Sequence, residues 1–398
     1  MSGAKANRAY IASVKEASWG ITPDTPTLQK INFVSDSLNY ALETTTPESI
    51  RDDRMVSDVI NVSAGNEGGY ELEFQALQSG PDDDHLVAAL WAEEWVGDAT
   101  VKTDVEGAVV TVAGSQIDFG AGTAQPTAMS PGDKFLLYGT LNKQNNGIYT
   151  VVTAPGADVY TVAEAFAADE TLPAGAGQYN GQYIKNGLVR HSFTIERGHA
   201  DVTEYFVYTG MAVNEFNLSF EAGAIVTGGY TFVGKETDVV QAPIGTLYED
   251  APTTPFMSAG FNVMNVMIDG APVPECYLQS VELGINNNLT GKMAVGNFGY
   301  CDTSEGEFEL SGEIGLYFND SSMYQNFITS TAFSFSFDLV DNDGNAYRIT
   351  VPKAKLSADA VNVEGKNTDV MDAAEYMAIY DETEGAMIRI DRFYIADL

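Results

Sequence analysis

Apolar and polar residues alternate along many short stretches of this chain, which is the pattern of strands that bury one face. Phe333, Phe335 and Phe337 alternate with Ser and Asp, and residues 31–42 and 70–74 show the same period of two. Segments rich in Gly, Asn and Pro separate these stretches, as expected for turns. The sequence therefore predicts a mainly β protein.

Two segments depart from this alternation and predict helices. Pro81 and the three aspartates after it form a helix start, in which acidic side chains face the positive end of the helix dipole. The helix is expected over residues 85–96, where Trp91 and Trp95 stand four residues apart and pack on one face. A shorter helix is expected after Asp320.

The first helix and the strands before it belong to a pattern that occurs twice. Aligning residues 70–72 (YEL) with 308–310 (FEL) gives an offset of 238 (308 − 70), and the same offset aligns Asp82 with Asp320. A repeated strand–loop–strand–helix unit without catalytic residues predicts a duplicated building block rather than an enzyme.

The composition changes at about Gly97, where Gly, Ala, Thr and Val become frequent and short strands follow one another. This change predicts four regions along the chain. We expect a first β-unit from residues 1–96 together with 191–240, an inserted small β-domain over 97–190, a linker over 241–257, and a second β-unit over 258–398.

The charge of the chain is strongly negative. Among 398 residues, 56 are acidic and 20 are basic, which gives a formal net charge of −36. This balance lacks the basic footprint of a stable DNA-binding protein. It serves either solubility or a surface that repels phosphates. No run of 18 apolar residues predicts a membrane span, and the N-terminal segment lacks the apolar core of a signal peptide.

No motif predicts catalysis, and we expect no catalytic, cofactor-binding or metal-binding residue. Residues 229–235 match the spacing of a phosphate-binding loop, but Tyr230 to Val233 have the pattern of a strand and Glu236 replaces the magnesium ligand. Residues 341–345 (DNDGN) predict a hairpin turn rather than a calcium loop. Cys276 and Cys301 form no metal or redox motif and are expected to be buried thiols.

Three segments together resemble the tail tube (major tail) proteins of long-tailed, siphovirus-like bacteriophages. They are SDSLNYALETTTPESIRDDR at 35–54, GGYELEF with DDDHLVAALW at 68–91, and the strand series at 191–235. The resemblance implies two tandem tail-tube-type β-sandwich or half-barrel units, each with one flanking α-helix. It also implies a structural virion protein that forms rings, which stack into a hollow tube for genome ejection.

The resemblance also implies partners and a location. The partners are further copies of the chain, the tape measure, tail terminator and distal tail proteins, and double-stranded DNA that passes through the lumen without specific binding. The protein is expected in the virion tail, and in the host cytoplasm during assembly. Because the unit is duplicated, a homotrimeric ring with pseudo-sixfold symmetry is favoured, and a hexamer is the alternative.

Two surfaces are expected to carry this function. Lumen-facing residues are expected on the polar faces of the strands at 31–43, 70–76, 278–285 and 307–313. The exposed loop 44–58 is expected to reach the next ring, where Arg51 and Arg54 pair with acidic residues. The ring-stacking candidates are Glu48, Arg51, Asp52, Asp53 and Arg54.

A different class of protein also fits part of the pattern. A surface-displayed structural or carbohydrate-binding β-protein would explain the strands, the acidity and the missing catalytic motif. It would also need an export signal, and it does not explain the repeated unit.

Overall fold

A computed structural model describes residues 3–76, 79–97, 102–120, 129–154, 158–274, 276–362, 365–366 and 368–395. The prediction of a mainly β protein is confirmed, because strands far outnumber the three α-helices of these ranges. The helices are α1 (Pro81–Ala89), α2 (Ala259–Asn262) and α3 (Ser322–Thr329).

The strands fall into four consecutive stretches of sequence. The first holds β1 (Ala9–Lys15), β2 (Thr27–Ile31), β3 (Ser35–Asp36), β4 (Asn39–Thr45) and β5 (Ile60–Glu73). The second holds β6 (Lys102–Asp104), β7 (Val109–Thr111), β8 (Gln116–Asp118), β9 (Lys134–Tyr138), β10 (Gly147–Thr153), β11 (Val159–Val162), β12 (Glu170–Thr171) and β13 (Gly177–Asn180). The third holds β14 (Gln182–Lys185), β15 (Phe193–His199), β16 (Glu204–Glu221), β17 (Thr227–Gly234), β18 (Glu236–Val240) and β19 (Leu247–Glu249). The fourth holds β20 (Val263–Ile268), β21 (Ala271–Pro272), β22 (Leu278–Asn286), β23 (Thr290–Lys292), β24 (Asp302–Ser304), β25 (Glu309–Tyr317), β26 (Phe333–Val340), β27 (Ala346–Asn362), β28 (Met371–Ala378) and β29 (Arg389–Phe393).

Two groups of seven strands follow the same pairing order. In the N-terminal group the order is β1-β15-β16-β17-β5-β4, and β18 also pairs with β16. In the C-terminal group the order is β20-β26-β27-β28-β25-β22, and β29 also pairs with β27. Helices α1 and α3 occupy matching places, because α1 follows β5 and α3 follows β25, the corresponding strand of the other group.

Irregularities in the strand pairing fix which residues correspond. The register of β16 against β17 shifts before Glu215, and that of β27 against β28 shifts before Ala358. Glu215 lies opposite Thr231, which lies opposite Gly69 on the next strand. In the same way, Ala358 lies opposite Glu375, which lies opposite Glu313. The offset is therefore 244 (313 − 69), and the offset of 238 predicted from the sequence is wrong by six residues. Because six is even, both alignments place the same face inward.

The two groups join in one continuous sheet. The outer half of β16, residues 215–221, pairs with residues 280–286 of β22. This junction creates the eight-strand run β4-β5-β17-β16-β22-β25-β28-β27. Both ends of the run are free in the described chain: β4 pairs only with β5, and residues 355–362 pair only with β28.

The inserted strands β6–β13 form a separate sheet with its own apolar core. This sheet packs on the C-terminal group, where Leu136 and Ile148 contact Ala346 and Phe393. The next strand, β14, already belongs to the main sheet and pairs with β29. Within the predicted linker, β19 runs parallel to β2.

Buried ion pairs fix the inserted sheet to the C-terminal group. The Arg348 side chain is 2% exposed and donates to Asp338 Oδ2 at 2.8 Å, to the Ile148 carbonyl at 3.0 Å, and to Glu164. Lys134 of the insert lies 2.6 Å from Asp391 of β29. The contacts between the insert and the C-terminal group join residues 184 to 257 positions apart in sequence.

The first helix is shorter than predicted. It ends at Ala89, and Trp91 has a left-handed backbone with φ of 53°. Carbonyls after the helix end accept hydrogen bonds from another segment: Gly187 N donates to Leu90 O, and Val189 N donates to Trp91 O. The predicted packing of Trp91 with Trp95 on one helix face is therefore wrong.

The two cysteines also differ from the prediction. Cys276 and Cys301 are both free and both exposed, so the expectation of buried thiols is wrong. Each lies in a connection between strands rather than within one. Apolar neighbours in the sequence therefore did not indicate burial here.

Candidate functional site: an acidic sheet face

The eight-strand run has one apolar face and one acidic face. Tyr70, Leu218, Leu283 and Ile314 are buried on the apolar face, which packs into the main core. The residues next to them in each strand point the other way, because successive side chains alternate across a strand.

The acidic face is composed mainly of Glu with Gly, Ser, Thr, Asn and Ala between, and Met371 and Met377 of β28 lie on the same face. Each of six strands contributes at least one carboxylate, and most of these side chains are exposed. The carboxylates are Glu43 of β4, Glu67, Glu71 and Glu73 of β5, Glu215 and Glu221 of β16, Glu282 of β22, Glu309 and Glu313 of β25, and Glu375 of β28.

Three of these carboxylates form a row across adjacent strands. Glu282 lies directly opposite Glu313, and Glu313 lies directly opposite Glu375. Like charges at directly opposite positions destabilise a sheet. No ion pair within the described residues involves any of the three. The row therefore costs folding stability without local compensation.

Uncharged side chains hold some of the other carboxylates in place. Asn286 Nδ2 donates to Glu215 Oε1 at 3.1 Å, and Thr231 Oγ1 donates to Glu215 Oε2 at 3.3 Å. Gln279 Nε2 donates to Glu221 Oε1 at 2.9 Å. Because amide and hydroxyl donors orient these carboxylates without neutralising them, the face remains negative.

Sequence reasoning found part of this face. The predicted stretches 70–76, 278–285 and 307–313 contain Glu71, Glu282 and Glu313, which the sheet brings together. It missed β16 and β28, which supply Glu215, Glu221 and Glu375. The missed signal was the alternation of residues 214–221 (NEFNLSFE), which has the same period of two.

The five ring-stacking candidates lie in the exposed connection between β4 and β5. Arg51 Nε donates to Asp53 Oδ1 at 2.9 Å, so these two form an ion pair within the loop. The hydrogen bond from Arg51 lowers the pKa of Asp53 below its usual range. Glu48, Asp52 and Arg54 are exposed and take part in no ion pair of the described chain.

A chain of polar side chains beside α1 could be mistaken for a catalytic site. Tyr70 Oη lies 2.6 Å from both Asp82 Oδ1 and His85 Nδ1, and His85 Nε2 lies 3.2 Å from Ser13 Oγ. Burial lowers the pKa of His85 to about 3 and raises that of Asp82 to about 6. His85 is fully buried, with the Phe193 ring 4.4 Å away. No substrate can reach it, so the arrangement anchors the helix to β1 and β5.

A second buried polar group lies near the free end of β27. Both carboxylate oxygens of Asp359 and Oδ1 of Asp372 are buried without a hydrogen-bond partner in the described chain. Burial raises the pKa of Asp372 to about 7, with a smaller contribution from the neighbouring Asp359. The pair is therefore partly protonated near neutral pH.

The described residues offer little for ligand chemistry. Among them, no three His, Cys, Asp or Glu side chains are placed to hold a metal ion. None of the helices in the described ranges has the length and apolar character needed to cross a membrane.

One comparison with known proteins is informative. The family model described as phage tail tube protein matches residues 6–378, which is nearly the whole chain. No curated protein matches the sequence.

Proposed function

The chain belongs to the phage tail tube protein family, and we propose that its copies form closed rings that stack into a hollow tube for DNA. One observation carries the proposal. Residues 215–221 of β16 pair with β22, while the matching half of β27, residues 355–362, has a free edge. The strand that matches β22 is β4, and its outer edge is also free. Unprotected strand edges promote association, and closure of a ring removes them.

The repeated strand order supports a ring of three chains. If the two strand groups are tandem tail-tube units, three chains supply six units and a ring with pseudo-sixfold symmetry. Each contact between chains then repeats the β16–β22 junction that each chain already contains. A ring of six chains is the alternative, in which only one unit per chain lines the lumen.

The acidic face supports passage of DNA without binding. When the eight-strand runs of neighbouring copies join into a barrel, the face with Glu71, Glu215, Glu282 and Glu313 lines the lumen. Basic side chains would release counterions from DNA and bind it, and carboxylates repel its phosphates. The destabilising row of Glu282, Glu313 and Glu375 is then explained by function.

The connection between β4 and β5 is proposed to contact the next ring in the stack. Arg54 and Asp52 are exposed at its tip and free to pair with charges of another copy. Arg51 would first have to leave Asp53 or take a second partner. Each exposed pair contributes about 0–1 kcal/mol, so the effect depends on repetition around the ring.

The rest of the proposal follows from a structural tail tube role. The protein acts in the virion tail after assembly in the host cytoplasm, has no enzymatic activity, and contacts the tape measure, tail terminator and distal tail proteins. The inserted sheet projects from the C-terminal group and decorates the tube exterior.

Negative-stain electron microscopy of concentrated protein, with averaging of end-on views, tests the proposal. We expect hollow rings or tubes with threefold modulation of six similar units. Sixfold symmetry with one chain per unit would replace the trimer by the hexamer. A monomer that forms no rings, even with an initiating tail complex, would overturn the proposal and favour the surface-displayed β-protein.

A further inference from the structure

The connection between β22 and β25 folds back onto the N-terminal group. Ala64 N donates to Phe298 O at 3.1 Å, and the Tyr300 ring covers Gly65, where a Cβ atom would lie 2.1 Å from Tyr300 Cε2. In the same connection, Leu289 packs against Trp91. The connection thus fills a site at the ends of β5 and β17.

The matching site on the C-terminal group is open. By the offset of 244, Ala64 and Gly65 correspond to Phe308 and Glu309, which line a cavity of about 450 Å³. Its apolar wall includes Met377 and Tyr380, which are 43% and 59% exposed. Because these two side chains line one cavity together, they form a contiguous apolar patch that a partner can cover.

The matching segment of the N-terminal group is the part of the β4–β5 hairpin beyond the pair Ala41–Gly65. It spans residues 42–64, or 23 residues (64 − 41), against 22 (308 − 286) for residues 287–308 beyond the pair Asn286–Glu309, and its residues 42–45 and 60–64 still belong to β4 and β5. Counted from β25 and β5 with the offset of 244, Phe298–Tyr300 correspond to Arg54–Val56, and counted from β22 and β4 with an offset of 245 (286 − 41) they correspond to Asp53–Met55. Met55 and Val56 are 69% and 70% exposed, so this connection has apolar side chains that its own chain does not cover.

We propose that Met55 and Val56 of one copy dock into the cavity lined by Phe308, Met377 and Tyr380 of the neighbouring copy in the same ring. The proposal rests on the proposed ring and assigns it a second contact beside the strand edges, in which Met55 and Val56 face the same ring while the charged side chains of Asp52 and Arg54 are left for the next one. Each connection then binds the preceding unit, within a chain or between chains.

Cysteine cross-linking of the full chain in assembled rings tests this docking. In a Cys276→Ser/Cys301→Ser background, Met55→Cys and Val56→Cys are each combined with Met377→Cys or Tyr380→Cys. A disulfide forms only when the two Cα atoms lie within about 7 Å. We expect covalent products between copies that end at a closed trimer on a denaturing gel. In the matched control, Leu141→Cys takes the place of the cavity cysteine and is combined with Met55→Cys or Val56→Cys. Leu141 is 70% exposed in the inserted domain, and this pair should give no cross-linked product.

A second measurement does not depend on the reach of one disulfide. Met55→Asp/Val56→Asp should leave the monomer folded, because both side chains are exposed, and should raise the concentration needed for rings at least about tenfold. Leu188→Asp, at a position that is 92% exposed outside this contact, serves as the control.

The outcomes separate the docking from the proposed ring. If wild-type rings form while none of the four cysteine pairs cross-links and the double aspartate variant assembles normally, the docking is wrong and the ring stands. If the wild-type protein forms no rings, both proposals fail.

Discussion

At the residue scale, the least exposed charges have a structural role rather than a chemical one. Arg348 is surrounded by Asp338, Glu164 and the Ile148 carbonyl, and it joins the inserted sheet to β26 and β27. Buried charges of this kind are tolerated only when each finds a partner. Removing one partner leaves the other charges buried and unpaired.

Arg348→Met should therefore lower the free energy of unfolding by about 3–5 kcal/mol, because Asp338 and Glu164 lose their shared cation. Urea denaturation of the monomer measures the change. Lys30→Met breaks the exposed pair of Lys30 with Asp250, 2.8 Å apart, and should change the free energy by about 0–1 kcal/mol. Equal effects of the two variants would contradict this account of the Arg348 cluster.

Asp372 gives a pH dependence with a definite sign. Its pKa is raised from 3.8 to about 7, by burial and by Asp359, so the folded chain holds the proton over a pH range in which the unfolded chain releases it. The contribution of Asp372 to stability then falls as the pH rises from about 4 to about 7. Asp372→Asn removes this loss. The variant should exceed wild type by on the order of 1 kcal/mol at pH 8 and match it near pH 4, as measured by urea denaturation at both pH values. A gain at pH 4 that equals the gain at pH 8 would contradict the assignment.

Residue-level properties were only partly predictable from the sequence. The helix start at Pro81 and the buried phenylalanines of β26 are confirmed, because a proline followed by acidic residues in the first turn and the alternation of a strand are local signals, although no side chain caps the helix. The Tyr70–Asp82–His85 contacts and the exposure of Cys276 depend on distant segments. No local pattern indicates them.

At the element scale, strands were predictable and their partners were not. The alternation of β16 indicates a strand but not that its outer half pairs with β22, about 70 residues away. The six-residue error in the repeat offset has the same origin, because register is set by strand pairing and its irregularities. Short sequence matches do not contain that information.

The row of glutamates across β22, β25 and β28 gives a prediction at this scale. Glu313→Gln removes the central charge and its repulsion with Glu282 and Glu375, so the monomer should gain about 0.2–1 kcal/mol at low ionic strength. Thermal or urea denaturation measures the gain. At about 1 M salt the gain should shrink, because screening weakens the repulsion in wild type. A gain that is the same at both salt concentrations would mean that packing, and not charge, is responsible.

At the scale of the whole molecule, the excess of acidic residues acquires a location. The formal net charge of −36 is compatible with both solubility and DNA repulsion, and the sequence leaves the choice open. The folded chain collects ten of its 56 acidic side chains on one face of the sheet that joins its two strand groups. A charge that served solubility alone would not need to gather on one face at a cost in stability.

Reversing this charge should convert a repelling surface into a binding one. In assembled tubes, Glu71→Lys/Glu282→Lys/Glu313→Lys adds three cations per chain at positions that the proposal places in the lumen. Short double-stranded DNA should then be retained, with an affinity that falls steeply as salt rises, since each phosphate contact contributes about 0.9 to the slope of log affinity against log salt. Wild-type tubes should retain none. The matched control, Glu106→Lys/Asp118→Lys/Asp133→Lys, has the same charge change at exposed positions of the inserted domain, outside both the acidic face and the proposed stacking contact. If DNA is retained equally by both variants, the acidic face does not line the channel, because its carboxylates would then act only through the net charge of the tube.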